Sequence, residues 1–248
     1  MSDADAWHSL SALTPARIAQ GRAGNGLPTR RVLEFQLAHA LARDAVHAAL
    51  DTQALAVALT PRSVRTLATR AKSRADYLAF PDHGRTLDPA SRGALKPGAY
   101  DAALVIADGL SATAITRHGA ALAVRIFEAV PDLAWAPVSI VTNGRVAVGD
   151  DVAAALGAEL AVVMIGERPG LSAADSVGLY LTRRPQPGVT SDADRNCISN
   201  VRPGGLGLAE AARRLAWLMT QARHLGLTGV GLKEDMPEVL PDGTPAAC

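Results

Sequence analysis

The sequence predicts an α/β protein, with a mainly helical N-terminal region followed by a domain built on a parallel sheet. Three observations predict it. From about residue 103 onward, short apolar runs alternate with helix-period segments, the pattern of strands joined by crossover helices. Before that point a long stretch carries an apolar repeat of three and four residues. Between the two, Pro81–Gly98 is rich in Pro, Gly, Asp and Arg and reads as a loop or boundary. The expected division is therefore residues 1–97, helical, and 98–248, the α/β domain.

The elements follow in order. Arg30–Leu50 contains no Gly or Pro, and Leu33, Leu37, Ala40, Leu41 and Ala45 form one apolar stripe. Thr29 is the expected N-cap. Shorter helices are expected after Pro61 and after Ser73. Ala103–Ala107 is a short buried strand, and Ser111–Val130 a helix capped by Ser111. Val138–Val141 is the next strand and Asp150–Leu156 a short helix. Leu160–Ile165 and Val177–Leu181 are further buried strands. Each is expected to open into a loop at its carboxyl end, one reading GERPG and the other DRNCISN. Ligands of open α/β sheets bind beyond the carboxyl ends of strands, so these loops are where a site is expected. A last helix spans Leu208–Leu225, and the Pro-, Asp- and Glu-rich tail after Lys233 is expected to fray.

Composition narrows the function. A chain of 248 residues holds one large or two small domains. Its formal net charge of +1 gives neither a nucleic-acid footprint nor a polybasic membrane patch. The N-terminus MSDADAWHSL lacks the apolar core of a signal peptide. No apolar run approaches the ~18 residues of a membrane span. Cys197 and Cys248 lie far apart and show no metal spacing. The expectation is a reduced, cytosolic protein with no nucleic-acid or membrane partner.

Several motifs fail a test for chemistry. Gly21–Gly26 and the cluster Gly204, Gly205 and Gly207 do not follow a strand and open a helix as a dinucleotide fingerprint does; they read as tight turns. The six histidines, His8, His39, His47, His83, His118 and His224, form no zinc spacing. None has Asp two residues before it, so no D-x-H-x-x-G motif occurs. Arg145, Arg168, Arg183 and Arg184 could suggest phosphate binding, but arginines at strand ends are usually solvated or ion-paired, and no such role is assigned to them. Glu167 stands at a strand's end between Gly166 and Arg168. It is either a local ion pair or an acceptor for a ligand's hydroxyl or amide groups. Cys197 is either a packed thiol or a nucleophile, and no Cys-His-Asn/Asp signature surrounds it.

A set of words along the chain carries a resemblance. They are GRAG at Gly21–Gly24, LPTR at Leu27–Arg30, FQLAHALARDAVH at Phe35–His47 and ADGLSA at Ala107–Ala112. GRV at Gly144–Val146, GERPGL from Gly166, DRNCISN from Asp194 and EAARRL at Glu210–Leu215 continue it. In this order and spacing they resemble the small subunit family of ethanolamine ammonia-lyase, over roughly residues 14 to 232. The resemblance implies a Rossmann-like domain and a hetero-oligomer with a large TIM-barrel subunit that binds ethanolamine and carries the catalytic residues. It implies adenosylcobalamin between the two chains and a radical conversion of ethanolamine to acetaldehyde and ammonia, in ethanolamine catabolism. It implies Val146, Glu167 and Cys197 as cofactor contacts, with no catalytic and no metal-ligating residue on this chain. With no D-x-H-x-x-G histidine to replace it, cobalamin's own base is then expected to stay on cobalt. Such proteins work in the cytoplasm or within a bacterial microcompartment. Some carry a longer N-terminal extension linked to that targeting, whereas here the matched words start almost at once. Two other readings remain: a free-standing nucleotide-dependent enzyme, and a purely structural interaction subunit.

Overall fold

A computed structural model describes residues 6–236. Its centre is a six-stranded sheet in the order β1-β3-β2-β4-β5-β6. The strands are β1 (Val64–Ala68), β2 (Ala102–Ala107), β3 (Val138–Thr142), β4 (Leu160–Gly166), β5 (Val177–Arg183) and β6 (Asn196–Val201). The first four in that order run parallel. The last two are antiparallel additions, so the sheet is mixed rather than wholly parallel.

The apolar runs explain the core. Every residue of β2 and β4 is buried, as parallel strands covered on both faces require. Alternate side chains serve opposite layers. Leu104, Ile106, Val162 and Met164 meet α7 (Ala120–Ala129) and α9 (Leu208–Leu225), through Leu122, Ile126, Leu215 and Leu218. Ala103, Val105, Ala161 and Val163 meet α8 (Val148–Leu156), through Val152 and Leu156. The chain thus leaves β2 for one face and β3 for the other. Two neighbouring strands whose connections diverge leave a crevice at their carboxyl ends.

Helix Ser111–Val130 appears as α6 (Ala112–Ala114), a five-residue π-turn at Ile115–Gly119, and α7. Ser111 caps it, accepting from Ala114 N–H at 3.2 Å. Ser73 likewise caps α4 (Arg74–Ala79).

Several expectations are corrected. A strand, β1, stands where a helix after Pro61 is expected; its backbone pairs along β3, Val64 opposite Val138. Pro81–Gly98 is not plain loop. It holds a 3₁₀ turn at Pro81–Arg85 and α5 (Pro89–Ala94), whose proline fits the first helical turn and whose cap is Asp88. DRNCISN is not a loop either. Most of it is β6, because Ile198 and Val201 are buried against the core while the polar residues between them face out. And β5 runs antiparallel, so its carboxyl end lies at the opposite edge from that of β4.

The N-terminal region differs from its expected packing. Five helices occur there among the described residues: α1 (Ala6–Ser11), α2 (Thr29–His47), α3 (Thr52–Ala58), α4 and α5. Thr29 is the first helical residue rather than the cap; Pro28 precedes it without a side-chain bond. In α2 only Ala45 is buried, while Leu33, Leu37 and Leu41 are 58%, 62% and 54% exposed. The predicted apolar stripe therefore exists but faces outward. Gly21–Gly26 is the expected tight turn, closed by paired hydrogen bonds between Ala23 and Gly26. The end of the expected C-terminal tail, with Cys248, lies outside the described residues.

Candidate functional site

The carboxyl ends of β2, β3 and β4 converge on a cleft of about 450 Å³. Each strand supplies one part. After β2, Asp108 turns inward and its Oδ1 accepts from Gly144 N–H at 3.1 Å, tying the β2 and β3 ends together. Arg74 Nη1 lies 3.8 Å from its other oxygen. Burial nonetheless outweighs the neighbouring amides and Arg74, and raises the Asp108 carboxyl above its ordinary value.

After β3, Gly144, Arg145 and Val146 lead into α8. Arg145 Nη2 donates to Tyr77 O at 2.9 Å. Its guanidinium lies 4.4 Å from the Tyr77 ring centre, and that of Arg74 4.6 Å. This cation-lined ring is fixed and 1% exposed. Burial raises its phenol's pKa. Arg74 is in turn anchored to Val46 O at the end of α2 and to Gly109 O.

After β4, Gly166 packs so closely that an added Cβ would lie 2.1 Å from Ser111 O. No other residue fits there. Glu167 follows. Its Oε2 accepts from Asn200 N–H at 3.0 Å, at the end of β6. Oε1 has no hydrogen-bond partner among the described residues. Gly178, at a register shift in β5, leaves room for this carboxylate: a Cβ there would come within 3.2 Å of Oε1. On the same strand Tyr180 lines the cleft. Burial, with Cys197 and Glu167 nearby, pushes its phenol well above the usual value, so it stays neutral.

Of the three residues singled out from the sequence, Val146 and Glu167 both line this cleft. Cys197 does not line it directly. It stands opposite Tyr180 on the edge strand β6, exposed, with its Sγ 3.3 Å from Ser199 Oγ. The structure adds Tyr77, Asp108, Arg145 and Tyr180. Asp108 and Arg145 sit inside the words ADGLSA and GRV that carry the resemblance, so a signal for them existed. Tyr77 and Tyr180 had none.

Behind the cleft lies a buried ion pair. Arg195 donates to both oxygens of Asp150, each at 2.7 Å, and Nη1 also reaches Thr182 Oγ1 at 3.0 Å. Burial works against the charge on Arg195, but the bonds to Asp150 outweigh it and raise its pKa. Among the described residues no cluster of three or more His, Cys, Asp or Glu side chains could hold a metal ion, and no helix is long and apolar enough to cross a membrane.

Known proteins resemble this chain over nearly its whole length. The family model for the ethanolamine ammonia-lyase light chain matches residues 4–233. A protein of Ralstonia nicotianae called ethanolamine ammonia-lyase small subunit is 52% identical, over 92% of this chain and 88% of its own length. One of the same name from Azotobacter vinelandii is 49% identical, over 96% and 91%. Another from Rhodococcus erythropolis is 49% identical, over 93% and 90%. With that model over nearly its whole length and relatives about half identical to it, the chain belongs to the ethanolamine ammonia-lyase light chain family.

Proposed function

We propose that this chain is the small subunit of an adenosylcobalamin-dependent ethanolamine ammonia-lyase, and that its cleft holds part of the cofactor against a large TIM-barrel subunit. The observation that carries the cofactor part is that Val146 and Glu167, on loops after two different strands, share one cleft. The lining fits such a group. It has an apolar wall in Val146, Leu110 and Ile165, two neutral phenol rings, and one carboxylate oxygen without a hydrogen-bond partner among the described residues. A corrin carries amide side chains and the adenosyl group carries hydroxyls, and both donate to a carboxylate. Adenosylcobalamin supplies the radical chemistry when bound.

The chain's own residues bind, orient and shield. Val146 packs against the cofactor's apolar surface. Glu167, held by the Asn200 amide, turns its second oxygen to a donor on the cofactor. Cys197 acts from the next strand, beside Tyr180, and keeps that wall close-packed. No residue of this chain takes or gives a proton to the substrate; that work belongs to the large subunit. The outward stripe of Leu33, Leu37 and Leu41 supports the partner part of the reading, because an isolated helix this exposed is marginal in water.

The test uses the two-subunit complex. Cobalamin titrated into complexes carrying wild-type or Glu167→Ala chain should bind the variant about ten- to hundredfold more weakly, the worth of one charge-assisted hydrogen bond. Equal affinities would remove Glu167 from the site. This chain alone, given adenosylcobalamin and ethanolamine, should release no ammonia, and release would overturn the subunit reading.

A further inference from the structure

Helix α2 is buried at one end only. It is 19 residues and about 28 Å long, and its single buried residue, Ala45, lies in the last turn. The last carbonyls of a helix find no N–H within it. Arg74 supplies one: its Nε donates to Val46 O at 2.6 Å. A cation also suits the negative end of the helix dipole. The same guanidinium donates through Nη1 to Gly109 O at 2.7 Å, lies 3.8 Å from Asp108 Oδ2 and stacks 4.6 Å from the Tyr77 ring centre. Arg74 itself does not line the cleft.

Gly109 carries the contact onward. Its φ is +56°, and an added Cβ would lie 2.3 Å from Gly166 O. Leu110 N–H donates to that same oxygen at 2.9 Å. Gly166 ends β4, and Glu167 follows it into the cleft. From Val46 to Glu167 the path is therefore backbone packed on backbone, with one side chain, Arg74, in it. Close-packed groups of this kind pass a displacement on rather than absorb it. A second link is looser. Arg17 lies 5.7 Å from the Phe35 ring centre on α2 and donates to Leu171 O at 3.4 Å, on the exposed surface.

We propose that Arg74 is a positioning residue that couples α2 to the cleft: covering the α2 stripe and filling the cleft favour one and the same setting of the Gly109–Gly166 junction. The inference rests on the functional reading above, in which the cover is the large subunit and the ligand is cobalamin. Such a coupling is reciprocal, so cobalamin strengthens the docking of α2 by the factor by which docking strengthens cobalamin binding. Arginine suits the task because its planar fork spans two carbonyls, where an ammonium offers a single point of charge.

The test is a double-mutant cycle between Arg74 and Leu37, which stands about 13 Å up the helix from Val46. Two-subunit complexes are assembled at saturating large subunit with wild-type, Leu37→Ala, Arg74→Lys or doubly substituted chain. Cyanocobalamin is titrated into each, and the bound fraction is read by absorbance after equilibrium dialysis. Leu37→Ala should weaken cobalamin binding about three- to tenfold while Arg74 is present. Arg74→Lys, which keeps a cation beside Asp108, should weaken it by a similar factor. Adding Leu37→Ala to Arg74→Lys should then change the affinity less than about twofold, because the link is already cut. A residue that only stabilised the fold would give effects that multiply. Multiplying effects, or a Leu37→Ala complex that binds cobalamin as wild type does, overturn the coupling alone. If Arg74→Lys prevents assembly, Arg74→Gln, whose amide reaches one carbonyl, carries the same comparison. A wild-type complex that binds no cobalamin overturns the cofactor reading and the coupling with it.

Discussion

Helices α2 and α9 are nearly the same length, 19 and 18 residues, yet they solve opposite problems. In α9 the apolar residues Leu215, Leu218, Met219 and Ala222 fall on one side and are buried against β5, β6 and α7. Its C-terminus closes on Gly226 in the left-handed region, and Arg223 and His224 complement the last turn. Helix α2 also carries a spaced apolar stripe, but only Ala45 reaches the core. The lesson is that an apolar stripe in the sequence does not say that the chain buries it in its own core. Side chains of this protein therefore divide into those satisfied within it and those left facing outward.

The largest expected effect tests a residue near that border. Arg195 lines a second, smaller cleft, but its main bonds run inward to Asp150 and Thr182. It belongs with α9 rather than with α2. Arg195→Ala leaves a buried carboxylate without its partner, which costs about 3–5 kcal/mol. Urea denaturation of the chain purified alone measures it. A loss no larger than that of an exposed pair, about 0–1 kcal/mol, would put Arg195 among the outward-facing residues.

The next prediction sets the helices against each other. Leu218→Ala on α9 removes a side chain that is 1% exposed and should cost about 2–5 kcal/mol. Leu37→Ala on α2, 62% exposed, should change the stability of the lone chain by no more than about 0.5 kcal/mol. The same Leu37→Ala should weaken association with the large subunit, measured by sedimentation of the mixed subunits. Equal stability losses from the two variants would erase the contrast. An unchanged association would leave the α2 stripe without its assigned cover.

This division also explains what could be read from the sequence. The buried strands Leu160–Gly166 and Ala102–Ala107 were legible because a strand covered on both faces must be apolar throughout. Helix α9 was legible because its periodicity and its burial agree. Strand β6 was not: at an edge only Ile198 and Val201 are buried, and NCISN between loop signals reads as more loop. Strand β1 was missed for the same reason, with only Leu67 well buried. In the cleft, Glu167 stood out by its place after an apolar run, but Tyr77 and Tyr180 are brought in by tertiary packing that no local pattern encodes. The pairs Tyr77–Arg145 and Tyr180–Cys197 join residues on different elements, well apart in sequence.

The smallest expected effect concerns Cys197, which the comparison places with the outward-facing residues. Its thiol is exposed on the sheet face that also carries Tyr180, and its neighbours are Ser199 Oγ and the Tyr180 phenol. Among the described residues no histidine hydrogen-bonds either of them, so nothing is placed to activate a nucleophile. A serine hydroxyl keeps the shape and the bond to Ser199. Cys197→Ser should therefore change stability by about 0.5 kcal/mol at most and leave the complex with substantial turnover. Cys197→Trp instead adds bulk beside Tyr180, where a close-packed ligand would be displaced. That complex should fold and assemble but retain less cobalamin. Ammonia release and bound-cobalamin absorbance, measured on the same samples, separate the two roles. A serine variant with full cofactor and no turnover would make this thiol part of the chemistry, and a tryptophan variant with full cofactor would remove β6 from the cofactor's wall.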